Sequence, residues 1–278
     1  MPYAVRVKPG TRVDLSRIEP RQDGGLEKAV AKGRVDELAK ELDDLQDMLY
    51  AAGDHSLLIV LQGMDTSGKD GTIKSVFRYV QPLGCRSWSF KVPTELELKH
   101  DFLWRVHQKA PELGIMTIFN RSHYEDVLVV RVKNLAPVDV WRARFEQINA
   151  FERLLADNGT IVLKFFLHIS KEEQEERLLD REKEVDKSWK LSVGDWVERE
   201  FWPAYIEAYE DALSKCSTKY APWFIVPSDR KWFRDLAVAE AVVDTLRPLR
   251  AGWMKSQNEL GKVRMAELTA FREKDNES

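Results

Sequence analysis

The sequence of 278 residues has few cysteines, no long apolar segment and no excess of positive charge. Two cysteines, Cys85 and Cys216, are too few for a disulfide framework, and they favour a reducing compartment. No apolar run approaches the ~18 residues of a membrane span. The N-terminal "MPYAVRVKPG" lacks the pattern of an export signal. We therefore expect a cytoplasmic protein with no membrane partner.

The net charge of −3 argues against nucleic acid as a partner, because nucleic-acid-binding domains are usually strongly basic. The charges are unevenly distributed along the chain. Residues 69–133 contain eleven Lys or Arg and seven Asp or Glu, whereas residues 26–50 contain four and seven. This local basic excess fits an anionic ligand, although an ordinary solvated surface can give the same imbalance.

Apolar runs of strand length alternate with helical segments along the chain. The runs lie at 57–62, about 86–92, 115–119, 160–168 and 223–227. This alternation predicts an α/β fold, a five-stranded parallel sheet flanked by helices.

The helical spacing of leucines predicts a helix over residues 26–50. Residues 1–25, rich in Pro, Gly and charge, are predicted to form an irregular arm. The economical division is a single domain over 26–250, followed by a helical tail over 251–278.

The clearest motif is a phosphate-binding loop between an apolar strand and an amphipathic helix. Gly63, Gly68 and Lys69 have the spacing G-x-x-x-x-G-K, whose backbone N–H groups cradle phosphate oxygens. Lys69 is predicted to bridge the transferring phosphoryl group. The usual Ser or Thr that binds Mg²⁺ through its hydroxyl is replaced by Asp70. The predicted loop consists of Gly63, Met64, Asp65, Thr66, Ser67, Gly68, Lys69 and Asp70.

A second candidate segment, "FNRSHYEDV", follows the third predicted strand. Mg²⁺ prefers one or two carboxylates together with phosphates and water. Asp65 and Asp126 are therefore predicted to hold the metal in place of the missing hydroxyl. Arg121 is a candidate phosphate ligand because its guanidinium presents a rigid fork of donors. Asn120 and Glu125 are predicted to contact a nucleotide.

Basic residues near the loop suggest a groove for a long polyanion. Lys74 and Arg78 are four residues apart and share one helix face. Lys91, Arg131 and Lys133 complete the predicted polyanion-binding set. An ordinary solvated basic face is the alternative.

Residues about 171–200 are rich in charge and predict a helical lid. Kinases close such flaps to exclude water from the phosphoryl donor. Arg177 and Arg181, spaced i, i+4, are predicted to stabilise charge in the transition state. Lys187 and Lys190 are predicted to contact the nucleotide. The alternative is a pair of charged helices that face solvent, which would explain why most of the other residues in this segment are acidic.

Four ordered motifs resemble those of the second family of polyphosphate kinases. They are GMDTSGKDG, FNRSHYED, the flap QEERLLDR…KSWKLS…DW, and APW-x-x-V-x-S-D-R. The resemblance runs from about residue 30 to 248. The segment RSHYEDVLV is similar to the corresponding segment of the class III subgroup, whose members accept both AMP and ADP.

The resemblance implies a thymidylate-kinase-like fold and reversible phosphoryl exchange between inorganic polyphosphate and adenine or guanine nucleotides. It also implies dependence on Mg²⁺, with Mn²⁺ as the alternative, and assembly as a homodimer or homotetramer. Some relatives have Asp at position 120, and many have Gly at position 70. The implied catalytic residues are Asp65, Lys69, Arg121, Arg177 and Arg181.

Two other functions remain open from the sequence. An ATP-dependent nucleoside monophosphate kinase would share the fold and the flap, although its loop usually keeps Ser or Thr after the lysine. A non-catalytic P-loop module that binds a nucleotide to switch a partner would tolerate loss of Lys69. The base preference, the balance between AMP and ADP, the physiological direction and the donor chain length are left open.

Overall fold

The computed structural model describes residues 3–183 and 193–276, with side chains up to residue 273. The strands in these ranges are β1 (Val5–Arg6), β2 (Ser56–Gln62), β3 (Cys85–Ser89), β4 (Met116–Asn120), β5 (Thr160–His168) and β6 (Trp223–Pro227). The α-helices are α1 (Lys28–Ala52), α2 (Lys69–Val76), α3 (Trp104–His107), α4 (Val129–Val132), α5 (Val138–Asp157), α6 (Lys171–Lys183), α7 (Val193–Glu198), α8 (Trp202–Cys216), α9 (Lys231–Leu246) and α10 (Arg250–Asn276).

All six strands form one sheet in the order β1-β6-β5-β2-β4-β3. Strands β2 to β6 are parallel, as the sequence predicts, whereas β1 is antiparallel to β6 and pairs Val5 with Ile225. The prediction of five strands was therefore wrong in number. Strand β1 has two residues, too short for a period-2 pattern, and is defined by pairing with a distant part of the chain.

The central strand β2 is buried along its whole length, and its alternate side chains enter two separate cores. Leu57, Ile59 and Leu61 pack on the side covered by α1 and α9. Leu58 and Val60 pack on the side covered by α5 and α8. Helices on both faces explain why the strand is a continuous apolar run. The carboxyl ends of β2, β4, β5 and β6 thus meet at one edge of the sheet, where ligands bind in open α/β folds.

The predicted helix over 26–50 is present as α1. Leu38, Leu42, Leu45 and Leu49 are all buried, as their i, i+3/i+4 spacing indicates. The helix ends at Gly53, which has a φ of 65° and donates its N–H to the Leu49 carbonyl. Helix α1 is therefore amphipathic along its length, and its apolar face packs on the sheet.

The N-terminal arm packs along β6 and the loop that follows it. The Val7 N–H bonds to the Trp223 carbonyl, and the Asp229 N–H bonds to the Pro20 carbonyl. Arg21 forms ion pairs with Glu173 at 3.2 Å and with Asp229 at 3.6 Å. The arm thus contacts both the first turn of α6 and the loop after β6.

Helix α10 starts beside the residues that precede β2. Trp253 is buried and its Nε1 donates to His55 Nδ1 at 3.2 Å, while Ser256 bonds to Asp54. No helix within the described ranges is long and apolar enough to cross a membrane. The division into arm, domain and tail stays a prediction.

Candidate active site

The phosphate-binding loop joins β2 to α2 and depends on two glycines. Gly63 directly follows β2 with a φ of 153°, and Gly68 caps α2 with a φ of 104°. A Cβ at Gly68 would also collide with the Arg234 guanidinium, whose Nη1 lies over the loop and donates to the Ser67 carbonyl. Because L side chains rarely adopt this backbone, only glycine fits position 68.

Lys69 is the last residue of the G-x-x-x-x-G-K motif, and its side chain folds back into the loop. Its Nζ donates to the Gly63 carbonyl at 2.8 Å and to the Met64 carbonyl at 3.2 Å. Burial, reinforced by the charge of Arg121, lowers the pKa of Lys69 to about 8. A bound phosphate would therefore compete with two carbonyl oxygens for this ammonium group.

Arg121 brings the end of β4 to the phosphate loop. It follows β4 with a φ of 61°, and its Nη2 lies 2.6 Å from Asp65 Oδ1. Its Nη1 lies 3.6 Å from Glu125. Burial opposes the charge of Arg121, but the carboxylates of Glu125 and Asp65 outweigh it and raise the pKa of the guanidinium. Asp65, Lys69, Arg121 and Glu125 thus form one charged cluster.

Asp70 and Asn120 contact each other. The Asn120 side-chain amide donates to Asp70 Oδ1 at 2.6 Å. Asp70 lies in the first turn of α2, where the helix dipole favours a carboxylate. Asp70, which stands in place of the usual Ser or Thr, is therefore held by Asn120 at the end of β4.

Asp126 faces away from this cluster toward α5. Its Oδ1 accepts from Arg144 Nη1 at 2.9 Å, and burial raises its pKa to about 6. Across residues 3–183 and 193–276, no group of three or more His, Cys, Asp or Glu side chains is arranged to hold a metal ion. The described contacts therefore give no support to Asp126 as a magnesium ligand, and that assignment stays a prediction.

A buried charged network holds the segment after β4. Glu152 accepts from Lys164 Nζ at 2.5 Å and from the Tyr124 hydroxyl at 2.9 Å, and it contacts His123 Nε2 at 3.2 Å. All four side chains are inaccessible to solvent. Burial lowers the pKa of His123, which favours the neutral imidazole. The network therefore holds the turn that follows Arg121. Its four side chains are buried, which suits a structural role.

Arg177, predicted as a transition-state cation, instead binds loop backbone. Its Nη1 donates to the Thr66 carbonyl at 2.9 Å. Its Nη2 donates to the carbonyls of Ser228 and Asp229 at 2.6 and 2.7 Å, and its Nε bonds to Glu173 at 2.9 Å. In this arrangement the guanidinium connects the phosphate loop to the loop after β6. A direct contact with a transferring phosphate stays a prediction.

Arg181 and Asp195 connect the two described lid helices. Their side chains form an ion pair at 3.3 Å between α6 and α7. Burial, together with repulsion from Asp65, raises the pKa of Asp195, so this carboxylate lies near the loop. Asp195 was not predicted from the sequence, although its position in the GDW part of the flap could have indicated it. Arg234 was not predicted either, because no local pattern distinguishes it.

The five residues predicted to bind a polyanion do not form one continuous set of contacts. Arg78 pairs with Asp36 of α1 at 2.5 Å. Arg131 and Lys133 instead face the lid side: Arg131 pairs with Glu207 and Asp211 of α8, and Lys133 pairs with Glu198 of α7. Lys74 and Lys91 are exposed. Lys187 and Lys190 lie outside the described residues.

Comparison with known proteins identifies the family. The family described as polyphosphate kinase 2 matches residues 25–251. The chain is 49% identical to the AMP/ADP-polyphosphate phosphotransferase of Meiothermus ruber over 93% of this chain and 97% of the relative. It is 40% identical to the ADP-polyphosphate phosphotransferase of Rhodopseudomonas palustris over 89% and 90% of the two chains.

A solved structure agrees in fold as well as in sequence. The polyphosphate kinase 2 of Arthrobacter aurescens superposes with a TM-score of 0.84 at 37% identity, covering 90% of this chain and 93% of that one. The phosphate loop and the charged cluster around it lie within the matched residues 25–251. The chain therefore belongs to the polyphosphate kinase 2 family.

Proposed function

We propose that this protein transfers the terminal phosphoryl group of inorganic polyphosphate to ADP and to AMP, and that the reaction is reversible. The observation that carries the proposal is the cluster of Lys69, Arg121 and Asp65 at the phosphate loop. Relatives whose names specify AMP/ADP or ADP and polyphosphate as substrates support this choice.

The cationic side chains act by positioning and by charge. Lys69 and Arg121 bind oxygens of the transferring phosphoryl group and stabilise its charge in the transition state. An oxygen of the nucleotide's terminal phosphate attacks phosphorus while the bond to the rest of the polyphosphate breaks. The attacking phosphate is already ionised at neutral pH, so no general base is needed. His123 is buried and suits a structural role.

The acidic side chains at the loop fit a divalent cation of the Mg²⁺ type. Such an ion needs one or two protein carboxylates, with substrate phosphates supplying further ligands. Asp65, in the phosphate loop, would provide one of them. When bound, Mg²⁺ or Mn²⁺ neutralises phosphate oxygens. Asp126 is not part of this proposal.

Nucleotide recognition is assigned to residues on the opposite side of the transferring group. Asn120 ends β4, Glu125 belongs to the charged cluster, and Lys187 and Lys190 complete the set predicted from the sequence. Adenine and guanine nucleotides are the proposed acceptors. A homodimer or homotetramer in the cytoplasm is the proposed state.

The test is to incubate the purified protein with Mg²⁺, ADP and long-chain polyphosphate and to measure ATP by anion-exchange chromatography. ATP should form, and AMP as acceptor should give ADP. A parallel reaction supplies ATP and a nucleoside monophosphate without polyphosphate. Product in that reaction alone would identify an ATP-dependent nucleoside monophosphate kinase and refute the proposal.

Lys69→Ala provides the matched variant. We expect it to abolish turnover and to leave the fold intact, as circular dichroism would show. Undiminished turnover would reject the role of Lys69 and favour a nucleotide-binding switch.

A further inference from the structure

Arg234, in the first turn of α9, is a buried cation to which the proposed reaction gives no role. Its Nε and Nη2 both donate to Asp235 Oδ1, at 2.8 and 2.6 Å. Its other terminal nitrogen, Nη1, donates to the Ser67 carbonyl at 3.4 Å. Asp235 in turn accepts from the Thr72 hydroxyl at 3.5 Å. The pair therefore joins α9 to the segment in which the phosphate loop becomes α2.

Two glycines make room for this guanidinium. A Cβ at Gly68 would collide with Arg234 Nη1, and a Cβ at Gly71 would lie 3.2 Å from Nη2, closer than Cβ atoms usually come. Gly71 lies within α2, where glycine costs roughly 0.5–1 kcal/mol relative to alanine. The sequence thus has a poor helix former at the position where a side chain would push Arg234 off the backbone.

The Ser67 carbonyl is held by guanidinium groups from two helices. Arg177 of α6 donates to it through Nη1 at 3.3 Å, but the same nitrogen lies closer to the Thr66 carbonyl, at 2.9 Å. Among the contacts of the described residues, the Ser67 carbonyl is the one acceptor of Arg234 Nη1. Arg234 is therefore the donor dedicated to this carbonyl.

Holding the Ser67 carbonyl also orients the next N–H group. The peptide between Ser67 and Gly68 is planar and trans, so its N–H points opposite to its C=O. The Gly68 N–H therefore points away from both guanidinium groups. Across residues 3–183 and 193–276 it donates to no protein acceptor. In a G-x-x-x-x-G-K loop, such N–H groups cradle phosphate oxygens.

We propose that Arg234 is a positioning residue, which holds the Ser67–Gly68 peptide so that the Gly68 N–H donates to an oxygen of the bound phosphate. The proposal rests on the proposed function for the identity of that phosphate, which belongs to the polyphosphate donor. Loss of this alignment weakens stabilisation of the transferring group. It leaves ADP binding unchanged, because the residues assigned to the nucleotide lie on β4, the turn after it and the lid.

The Gly68 N–H can be observed by itself, because Ser67–Gly68 is the single Ser–Gly step of the sequence. Serine labelled with ¹³C at its carbonyl carbon and ¹⁵N-labelled glycine, supplied in cell-free synthesis, mark only this peptide bond for a carbonyl-filtered NMR spectrum. Tripolyphosphate, added with Mg²⁺ and without nucleotide, should move the wild-type amide proton downfield, as a new hydrogen bond to an anion requires. In Arg234→Lys, which keeps a charge beside Asp235 but loses the planar fork, the shift should fall at least twofold.

The kinetic test uses long-chain polyphosphate and ADP. In Arg234→Lys, kcat should fall about ten- to a hundredfold, somewhat less than the loss of a complete donor to a developing charge. The KM for ADP should stay at the wild-type value. A smaller folded fraction would also lower kcat, but it would leave the amide shift of the folded molecules unchanged.

Arg247→Lys is the matched control. Arg247 follows α9 and pairs with Glu41 through the same kind of fork, about 20 Å from Arg234 at the helical rise. The control should match the wild type in the amide shift and in kcat. Equal losses in Arg247→Lys and Arg234→Lys would overturn the inference.

Arg234→Met/Asp235→Asn tests the same point if Arg234→Lys folds poorly. It removes both charges of the buried pair, so no charge is left without its counterion and the free energy of unfolding should stay close to that of the wild type. We expect the same losses of amide shift and of kcat. An undiminished shift or an undiminished kcat in a folded Arg234 variant would overturn the inference, as would a Gly68 amide that does not respond in the wild type.

The two readouts also separate this inference from the proposed function. A wild type that forms no ATP would refute the proposed function. The inference would still stand if the wild-type Gly68 amide responded to tripolyphosphate and the response were lost in Arg234→Lys. Conversely, ATP formation by a wild type and an Arg234→Lys variant with equal kcat would leave only the proposed function standing.

Discussion

Replacing Asn120 by Asp would test how the phosphate loop accommodates Asp70. In the wild type the Asn120 amide donates to Asp70 Oδ1 at 2.6 Å. The substitution Asn120→Asp removes the donor and places a second carboxylate beside the first. The change is confined to position 120, so the loss of stability reports mainly on its contact with Asp70.

The expected magnitude follows from the exposure of the pair. Two like charges about 4 Å apart repel by about 1 kcal/mol in water and by about 4 kcal/mol near a protein surface. Asp70 is exposed and Asn120 is half-buried, so about 1–2 kcal/mol is appropriate. The lost hydrogen bond adds about 1 kcal/mol. For a chain of this size, a total of about 2–3 kcal/mol lowers the unfolding temperature by about 4–12 °C.

The assay is urea unfolding at pH 7 in the presence of a chelator, so that no divalent cation bridges the two carboxylates. The second variant, Asn120→Asp/Asp70→Asn, exchanges the two side chains and restores a donor and an acceptor. It should recover most of the lost free energy of unfolding. High salt should reduce the defect of the single variant because it screens the repulsion.

Two results would refute this reasoning. Equal destabilisation of the single and double variants would mean that Asn120 matters for a contact other than Asp70. A single variant as stable as the wild type in low salt would mean that the two carboxylates move apart at no cost. Asp70→Asn alone serves as the control and should cost no more than about 1 kcal/mol, since an amide oxygen also accepts the hydrogen bond while the favourable interaction of the carboxylate with the helix dipole is lost.

Three further predictions concern buried charges. Because the pKa of Lys69 falls from its ordinary 10.5 to about 8, the unfolded chain holds this proton longer, and the free energy of unfolding should rise between those pH values. Urea unfolding should show this rise in the wild type and not in Lys69→Met. Arg177→Lys should leave loop carbonyls unpaired at a cost of about 1–3 kcal/mol and speed amide exchange at residues 66–68; unchanged exchange would contradict the connecting role. Glu152→Gln should cost about 3–5 kcal/mol by leaving Lys164 buried without its counterion, and Glu152→Gln/Lys164→Met should cost less in thermal melts; equal losses would count against the ion pair.

Local signals made part of the active site predictable. The apolar run before Gly63 and the glycine spacing after it predicted β2, the loop and α2, and the structure has these elements at 56–62 and 69–76. Parallel pairing of β2 with β4 then brings Arg121 next to Asp65. Here the chemistry follows from the order of strands, which a sequence pattern can indicate.

Contacts with backbone carbonyls were not predictable in the same way. Arg177 binds the carbonyls of Thr66 and Ser228, which are 111 and 51 residues away. Every residue has a carbonyl, so no side-chain pattern marks these partners. Likewise, nothing near Asp126 in the sequence indicates that Arg144, a full 18 residues later, occupies its carboxylate. The short strand β1 was missed because its register is set entirely by β6.

The N-terminal arm has a practical consequence for protein engineering. The family match begins at residue 25, yet β1 covers the outer side of β6, and Arg21 neutralises Glu173 and Asp229. A chain shortened to 25–251 would expose β6 as a bare edge strand, which invites intermolecular pairing and precipitation. Affinity tags and fusion partners are therefore better joined ahead of the arm than substituted for it.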